Sequence, residues 1–229
     1  MKRHHDIQIP AGKVLLWGDL HLPRKRCGIV AFAHGSGTSR RDPQNQLVAR
    51  RLEEAGFATL LVELLEDCET HDRHNVFDID LQAQRLVEVA EWLAAAPATR
   101  SLRLGLFGTG VGTGVALAAA AKAAARVSAV VSRGGRPDTA LCWVPRVAAP
   151  TLFIADEGGA DLDWIDMAYR AATAKKELVL VPDAGPLFHG PGAIEAVAEH
   201  ARRWFARHLA AAAVDPDQND RRRYAPIFG

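Results

Sequence analysis

A glycine-rich turn in the middle of the chain has the spacing of a catalytic turn but no reactive side chain. Residues 102 to 121 read LRLGLFGTGVGTGVALAAAA, an apolar strand, a tight turn and the start of an alanine-rich helix. The spacing Gly108-x-Gly110-x-Gly112 puts small residues on both sides of the apex, and such a turn pushes the apex side chain out of the sheet. A serine or cysteine there would be a nucleophile. Gly110 has no side-chain atom that could attack a carbonyl.

Polar side chains on other segments also follow predicted strands. Ser36 and His189 each come after an apolar run, at positions that meet at the carboxyl edge of a parallel sheet. A relocated nucleophile–base pair of Ser36 and His189 is one hypothesis, and a helix-capping hydroxyl with a solvated histidine is the alternative. Four arginines on the same rim would clamp a carboxylate or phosphate, or form salt bridges with Asp42 and Asp138: Arg40, Arg41, Arg133 and Arg136.

Two further patterns fall short of a metal or cofactor site. The group Glu69, His71, Asp72 and His74 has ligand-type side chains at close spacing, but its polar loop specifies no complete ligand set. The glycine run reads G-x-G-x-G-x-G rather than the G-x-G-x-x-G of dinucleotide-binding turns. We therefore predict no metal and no cofactor.

Strands and helices alternate along the chain and define the scaffold that must position these residues. The segments DIQIP and KVLLWGDLHLP indicate an antiparallel opening hairpin, and the rest predicts an α/β fold with a mostly parallel central sheet and helices on both faces. Strands are predicted at 27–35, 57–65, 102–108, 127–135, 149–156 and 176–185, and helices at 43–56, 78–97, 111–126, 163–174 and 191–209. We predict one domain over residues 1–211 and a polar, flexible tail at 212–229.

Composition excludes several classes of function. The 229 residues carry a formal net charge of +1 with acids and bases interspersed, which argues against nucleic-acid or membrane-surface binding. The start of the chain lacks the apolar run of a signal peptide, and the run Val115–Ala121 is too short to span a bilayer. Three dispersed cysteines favour a reducing cytoplasm over a disulfide framework: Cys27, Cys68 and Cys142.

Three segments carry a family resemblance. They read FAHGSGTSRRDPQNQLVARRLEEAGFATLLVELL, SRGGRPD and LVPDAGPLFHGPGAIEAV. With the order of the elements, they resemble the α/β-hydrolase fold, and its dienelactone-hydrolase-like branch in particular, over nearly the whole chain to about residue 209. The resemblance implies an α/β-hydrolase fold and, where its catalytic residues are present, hydrolysis.

The resemblance also implies where catalytic residues would stand. The nucleophile position is Gly110, and the histidine of a V-P-x-A-x-H-L-F pattern falls on Pro186, which has no titratable side chain. The acid of a G-G-x-D pattern falls on Asp161 if two residues are counted as an insertion, and on Gly159 otherwise. His189, three residues past Pro186, is a candidate for a relocated base. The usual serine–histidine mechanism is therefore not available.

The main-chain donors of the implied oxyanion hole would survive these losses. They are the N–H groups of Val111 and of a residue in the loop after the third strand, Ser36. With Gly110 and Arg133 they form the predicted ligand site. The leading hypothesis is a non-hydrolytic pseudoenzyme that binds a small carbonyl-bearing or anionic ligand there.

Two other functions remain open. One is an active hydrolase, or a cofactor-free lyase, isomerase or cyclase, that uses relocated residues such as His189 and Ser36. The other is a purely partner-binding role through the tail. A homodimer is compatible with either.

Overall fold

The computed structural model describes residues 4–34 and 39–209, which form eight strands and six α-helices. The strands are β1 (His4–Ala11), β2 (Val14–His21), β3 (Ile29–Ala33), β4 (Ala58–Val62), β5 (Leu104–Thr109), β6 (Val127–Arg133), β7 (Thr151–Asp156) and β8 (Lys176–Val181). The helices are α1 (Pro43–Glu54), α2 (Arg73–Phe77), α3 (Ile79–Ala95), α4 (Gly112–Lys122), α5 (Leu162–Ala171) and α6 (Ala193–Leu209). Short 3₁₀ turns lie at Pro137–Ala140, Val144–Arg146 and Pro186–Phe188.

All eight strands join one sheet in the order β1-β2-β4-β3-β5-β6-β7-β8. The hairpin β1–β2 is antiparallel, and β2 pairs antiparallel with β4. The pairs from β4 through β8 are parallel, because crossover connections return the chain before each strand, with α-helices in all of them except the β6–β7 connection, which contains 3₁₀ turns. The predicted fold class is thereby confirmed.

The sheet separates two apolar layers. Along β3, Val30 and Phe32 pack with α1 and α6, whereas Ile29 and Ala31 pack with α3 and α4 on the other face. This follows from the alternation of side chains along a strand. Because helices cover both faces, the central strands are buried throughout, which explains their unbroken apolar runs.

Two predicted elements differ from the structure. The polar segment 66–78, predicted as a loop, contains the short helix α2, and the Asp72 side chain caps it by accepting a 2.8 Å hydrogen bond from the His74 N–H. The helix predicted at 111–126 ends at Lys122, since Arg126 and Val127 donate to the Ala123 carbonyl in a turn. In the part of the chain that the structure describes, no helix is long and apolar enough to cross a membrane.

Candidate functional site

The turn between β5 and α4 keeps its tight geometry although its apex is glycine. Gly110 has φ of +59°, in the left-handed region that favours glycine. A Cβ on Gly108 would lie 2.6 Å from the Gly112 carbonyl oxygen, and a Cβ on Gly112 would overlap the carbonyl oxygen of Ala33. The flanking glycines are therefore required by packing, as expected for a strand that turns directly into a helix.

The apex is fixed by contacts with the loop after β6. The Gly110 carbonyl accepts hydrogen bonds from Thr113 Oγ1 at 2.7 Å and from the Arg136 N–H at 3.1 Å. A Cβ on Gly135 would overlap Gly110, so the two backbones touch. Val111 is the N-cap of α4, where first-turn N–H groups have no intrahelical acceptor and the helix dipole is positive. Ser36, the other predicted donor, lies outside the described residues.

A cavity of about 470 Å³ opens beside this turn, at the carboxyl ends of β5, β6 and β7. Its wall is largely glycine backbone, with an apolar side and two charges of each sign. Its described lining residues are Gly110, Arg133, Gly134, Gly135, Arg136, Asp156, Gly158, Gly159, Ala160, Asp161, Trp164, Gly185, Leu187 and Phe188. The structure thus brings together three of the predicted site residues, Gly110, Arg133 and Asp161.

Arg133, the last residue of β6, is a buried cation beside the cavity. Arg133 is only 7% exposed. Burial lowers the pKa of its guanidinium to about 10, although the negative charge of Asp42 acts to raise it. Its Nη1 donates to Gln44 Oε1 at 2.9 Å, while Nε is buried and has no hydrogen-bond partner among the described residues. Among the described carboxylates, none lies within salt-bridge distance of it. A guanidinium in this state is suited to binding an anion.

Gln44, near the start of α1, is a site residue that the sequence did not reveal. Its Nε2 donates to the carbonyls of Leu187 at 3.1 Å and Phe188 at 3.2 Å, and lies 3.3 Å from His189 Nδ1. Its Oε1 accepts from Arg133. The only signal in the sequence is its position just after the loop that follows β3.

The opposite side of the cavity carries the second arginine and two carboxylates. Arg136 forms a bidentate salt bridge with Asp138 and lies 4.1 Å over the Trp164 ring. Asp161 Oδ2 accepts a 2.6 Å hydrogen bond from the Gly135 N–H, and Asp156 lies at the end of β7. Asp161 therefore supports the loop after β6, and the described residues place no imidazole beside it.

The loop after β8, where the family's histidine would stand, has unusual backbone geometry. Pro186 begins its 3₁₀ turn, and Asp183, Leu187 and Phe188 have φ of 50°, 58° and 61°. Each L residue in this region costs roughly 1–2 kcal/mol, so the surrounding contacts must hold it. The Phe188 ring lies 5.3 Å from the Arg133 guanidinium carbon. His189 is exposed and is not among the residues that line the cavity.

The four predicted rim arginines do not converge. Arg133 and Arg136 line the cavity, but Arg40 forms ion pairs with Asp6 and Asp19 of the opening hairpin. That part of the prediction was wrong, because the hairpin supplies acids that the sequence did not place. Arg41 is exposed and is likewise absent from the cavity lining. Of the two carboxylates named as alternative salt-bridge partners, Asp138 pairs with Arg136, whereas Asp42 caps α1.

The predicted acid–histidine group near residue 70 is dispersed. Glu69 pairs bidentately with Arg85, Asp72 caps α2, and His71 Nδ1 lies 3.0 Å from the Asp67 carbonyl. Over residues 4–34 and 39–209, no three His, Cys, Asp or Glu side chains form a group that could hold a metal ion.

A histidine–carboxylate pair lies at the same sheet edge. His34 Nε2, directly after β3, is 3.1 Å from Glu63 Oε2, directly after β4. Burial acts to raise the pKa of Glu63, but contacts with His34 and the Arg40 N–H outweigh it and leave the pKa below its ordinary value. His34 is nearly buried, and its backbone lies against Gly112.

Known proteins resemble the chain at high and at low sequence identity. No family model matches it. The crystal structure of a dienelactone hydrolase from Anabaena variabilis is 45% identical, with a TM-score of 0.86 over 91% of this chain and 99% of that one. Est1E from Butyrivibrio proteoclasticus shares the fold at 15% identity, with a TM-score of 0.72 over 88% of this chain and 98% of its own.

Two curated relatives are much longer than this chain. Proteins from two strains of Mycobacterium tuberculosis, which bear the provisional name phosphoribosyl transferase, are 49% identical over 210 residues. The match covers 90% of this chain and 47% of each relative. The chain thus spans about half the length of the curated relatives it matches.

Proposed function

The chain belongs to the dienelactone hydrolase family of the α/β-hydrolase fold, and from that premise we propose that it is a non-hydrolytic member that binds a small anion. The proposal places the ligand in the cavity beside Gly110. It rests on the absence of a nucleophile at Gly110 and of a titratable side chain at Pro186. A serine–histidine mechanism needs both.

The observation that carries the proposal is the buried charge of Arg133, which has no carboxylate partner among residues 4–34 and 39–209. Lowering the pKa of an arginine from its ordinary value to about 10 corresponds to a penalty of about 3 kcal/mol on its charged form. The side chain is nevertheless charged at neutral pH. An anion that pairs with it would offset that penalty, so the folded chain gains stability when the site is occupied.

The lining of the cavity favours a monocarboxylate with a flat apolar body. Trp164, Leu187 and Phe188 supply apolar surface, and the glycine walls allow a planar group to approach the backbone. Asp156 and Asp161 face the same space, so they disfavour a doubly charged phosphate more than a singly charged carboxylate. Benzoate is a suitable probe of this class.

Thermal unfolding with benzoate tests the proposal. At about 10 mM benzoate, a Kd near ~1 mM would add about 1.4 kcal/mol, which corresponds to a rise in Tm of roughly 3–5 °C. Benzamide, the neutral counterpart, and inorganic phosphate should give smaller shifts. No shift with benzoate, or an equal shift with benzamide, would contradict the proposal.

The variant Arg133→Met distinguishes a ligand-binding role of Arg133 from a structural role. Because the buried charge destabilises the folded chain at any pH below about 10, the variant should be more stable by about 1–3 kcal/mol and should lose the benzoate shift. The matched control is Arg136→Met, in the same cavity, whose side chain is half exposed and already paired with Asp138. A structural role would show instead as destabilisation by Arg133→Met.

A second candidate is catalysis by relocated residues. The contact that favours it is His34 with Glu63, since a carboxylate orients the imidazole of a general base. His189 and Ser36 remain the other candidates from the sequence. This function requires turnover of activated short-chain esters or lactones by the unmodified chain, lost in His34→Gln or His189→Ala. Absence of turnover in the unmodified chain would exclude this esterase activity.

We attribute phosphoribosyl transfer, the activity in the provisional name of the mycobacterial relatives, to the part of those proteins that this chain does not span. A phosphoribosyl donor carries several phosphate charges, whereas this cavity combines one unpaired guanidinium with two carboxylates. The cavity is poorly matched to such a donor.

We also propose a cytoplasmic location and no nucleic-acid or membrane partner. The three cysteines are free and far apart, and the near-neutral net charge provides no bulk attraction to polyanions. A homodimer is a further proposal, which the elution volume in size-exclusion chromatography would test.

A further inference from the structure

Gln44 connects the candidate anion site to the loop after β8. One half of its amide, Oε1, accepts from Arg133 Nη1, and the other half, Nε2, donates to the carbonyls of Leu187 and Phe188. Its partners are 89, 143 and 144 positions away in sequence, so this side chain joins three separate segments.

The loop that Gln44 contacts is held in a conformation that its own residues disfavour. Leu187 and Phe188 both have positive φ, and the Leu187 side chain is 71% exposed, so packing of Leu187 does not hold the loop. The loop's remaining anchors are backbone hydrogen bonds, such as Gly190 N–H to the Ala184 carbonyl, and the buried Phe188 ring. The two bonds from Gln44 therefore fall where the backbone needs support.

The same loop covers the guanidinium edge that an anion would use. Nη1 donates to Gln44, whereas no described residue accepts from Nε, so the Nε side of the guanidinium is the edge for a bidentate carboxylate. Nε is inaccessible to water, and the Phe188 ring lies 5.3 Å from the guanidinium carbon. Arg133 already lines the cavity, so a ligand there contacts the buried Nε edge only if its cover moves.

We propose that Gln44 is a positioning residue that keeps the loop 185–189 closed over Arg133, so that the loop gates access to the anion site. The identity of the ligand rests on the proposed function, but the gate itself does not. Opening requires breaking the Gln44 bonds to the loop and releases the left-handed backbone of Leu187 and Phe188. Closing re-forms the two hydrogen bonds from Gln44 and returns Leu187 and Phe188 to positive φ.

Labelling with phenylglyoxal, an arginine-selective reagent, tests the gate without any ligand. The rate at Arg133 is measured by peptide mass spectrometry relative to the exposed Arg100 of the same molecule. In the unmodified chain Arg133 should be among the slowest arginines. Gln44→Ala should accelerate its labelling roughly 10-fold, because the two hydrogen bonds that oppose loop opening are lost together with the direct bond to Arg133 Nη1. Phe188→Ala, which removes the covering ring, should accelerate it as well.

The control is Gln84→Ala, an exposed glutamine on α3 that should leave the rate at Arg133 unchanged. Hydrogen exchange separates a local from a general effect, since amides of 185–190 should exchange faster in Gln44→Ala while those of α6 do not. Unchanged labelling of Arg133 in both Gln44→Ala and Phe188→Ala would overturn the gate. If Gln44→Ala labels faster but benzoate gives no rise in the Tm of the unmodified chain, the gate stands and the proposed anion function fails.

Discussion

At the scale of single residues, the glycine at the apex removes strain as well as reactivity. Gly110 adopts φ of +59°, and an L residue there costs roughly 1–2 kcal/mol. A hydrolase accepts that cost because the strained turn presents its nucleophile. Once the nucleophile is absent, glycine keeps the same turn and relieves the strain.

Gly110→Ser should therefore lower the free energy of unfolding by about 1–2 kcal/mol, measured by urea denaturation. Gly158 is the matched control, since it lies in the same cavity wall, has ordinary φ and has open space where a Cβ would stand. Gly158→Ser should change stability by less than about 0.5 kcal/mol. Equal effects in the two variants would mean that the apex is not strained.

Residue identity alone could place part of the site. The glycine spacing points to Gly110, the end of a predicted strand to Arg133, and the family resemblance to Asp161 or Gly159, and all of them line the cavity. Gln44 could not be predicted, since its role depends on contacts with residues at least 89 positions away. Arg40 was misplaced because its partners, Asp6 and Asp19, belong to a hairpin whose position across the sheet the sequence did not specify.

At the scale of elements, the apolar runs predicted the existence and type of the strands and the longer helices but not their ends. In the described part of the run at 27–35, the strand is Ile29–Ala33, where the residues pair with β4 and β5. Helix α2 was missed because its five residues carry no full amphipathic period. Its formation depends on the Asp72 cap and on the neighbouring tertiary contacts.

One such contact joins the segment before α2 to helix α3. Glu69 forms a bidentate salt bridge with the buried Arg85, which also donates to the Leu64 carbonyl. The hydrogen bond from Arg85 holds the pKa of Glu69 below its ordinary value despite partial burial. A carboxylate with a lowered folded-state pKa stabilises the fold above pH 4.5, and that contribution is lost as the pH falls through the folded-state pKa.

Glu69→Gln should accordingly lower the free energy of unfolding at pH 7 by about 1–3 kcal/mol. Below pH 4.5 the free energies of unfolding of the variant and the unmodified chain should converge as the pH falls. The measurement is urea denaturation across a pH series. Glu91→Gln is the control, because its pair with Arg126 is half exposed and should contribute less than about 1 kcal/mol. A difference for Glu69→Gln that does not shrink in acid would contradict the assignment.

At the scale of the whole molecule, α6 completes the apolar layer that carries α1. Leu209, its last residue, is 1% exposed and packs so closely on the sheet that a Cβ on Gly28 would lie 2.8 Å from it. A Cβ on Gly105 would lie 2.5 Å from Phe205 of the same helix. These two glycines let α6 approach β5, so the described core extends to Leu209.

That boundary predicts which part of the chain the fold needs. Deletion of 212–229 keeps every buried residue of the described core and should leave the free energy of unfolding within about 0.5 kcal/mol. Leu209→Ala should lower it by about 2–5 kcal/mol, because it leaves a cavity between α6 and the sheet. Both values come from urea denaturation of the full chain and its variants.

The control is Leu15→Ala on β2, where the leucine is 48% exposed and a truncation removes little buried surface. If the deletion destabilised the chain as strongly as Leu209→Ala, residues past 211 would belong to the folded domain. The rise in Tm that benzoate causes in the chain without residues 212–229 tests where the anion site lies. A shift equal to that of the full chain would place the whole anion site within residues 1–211, where Gly110, Arg133 and Gln44 lie.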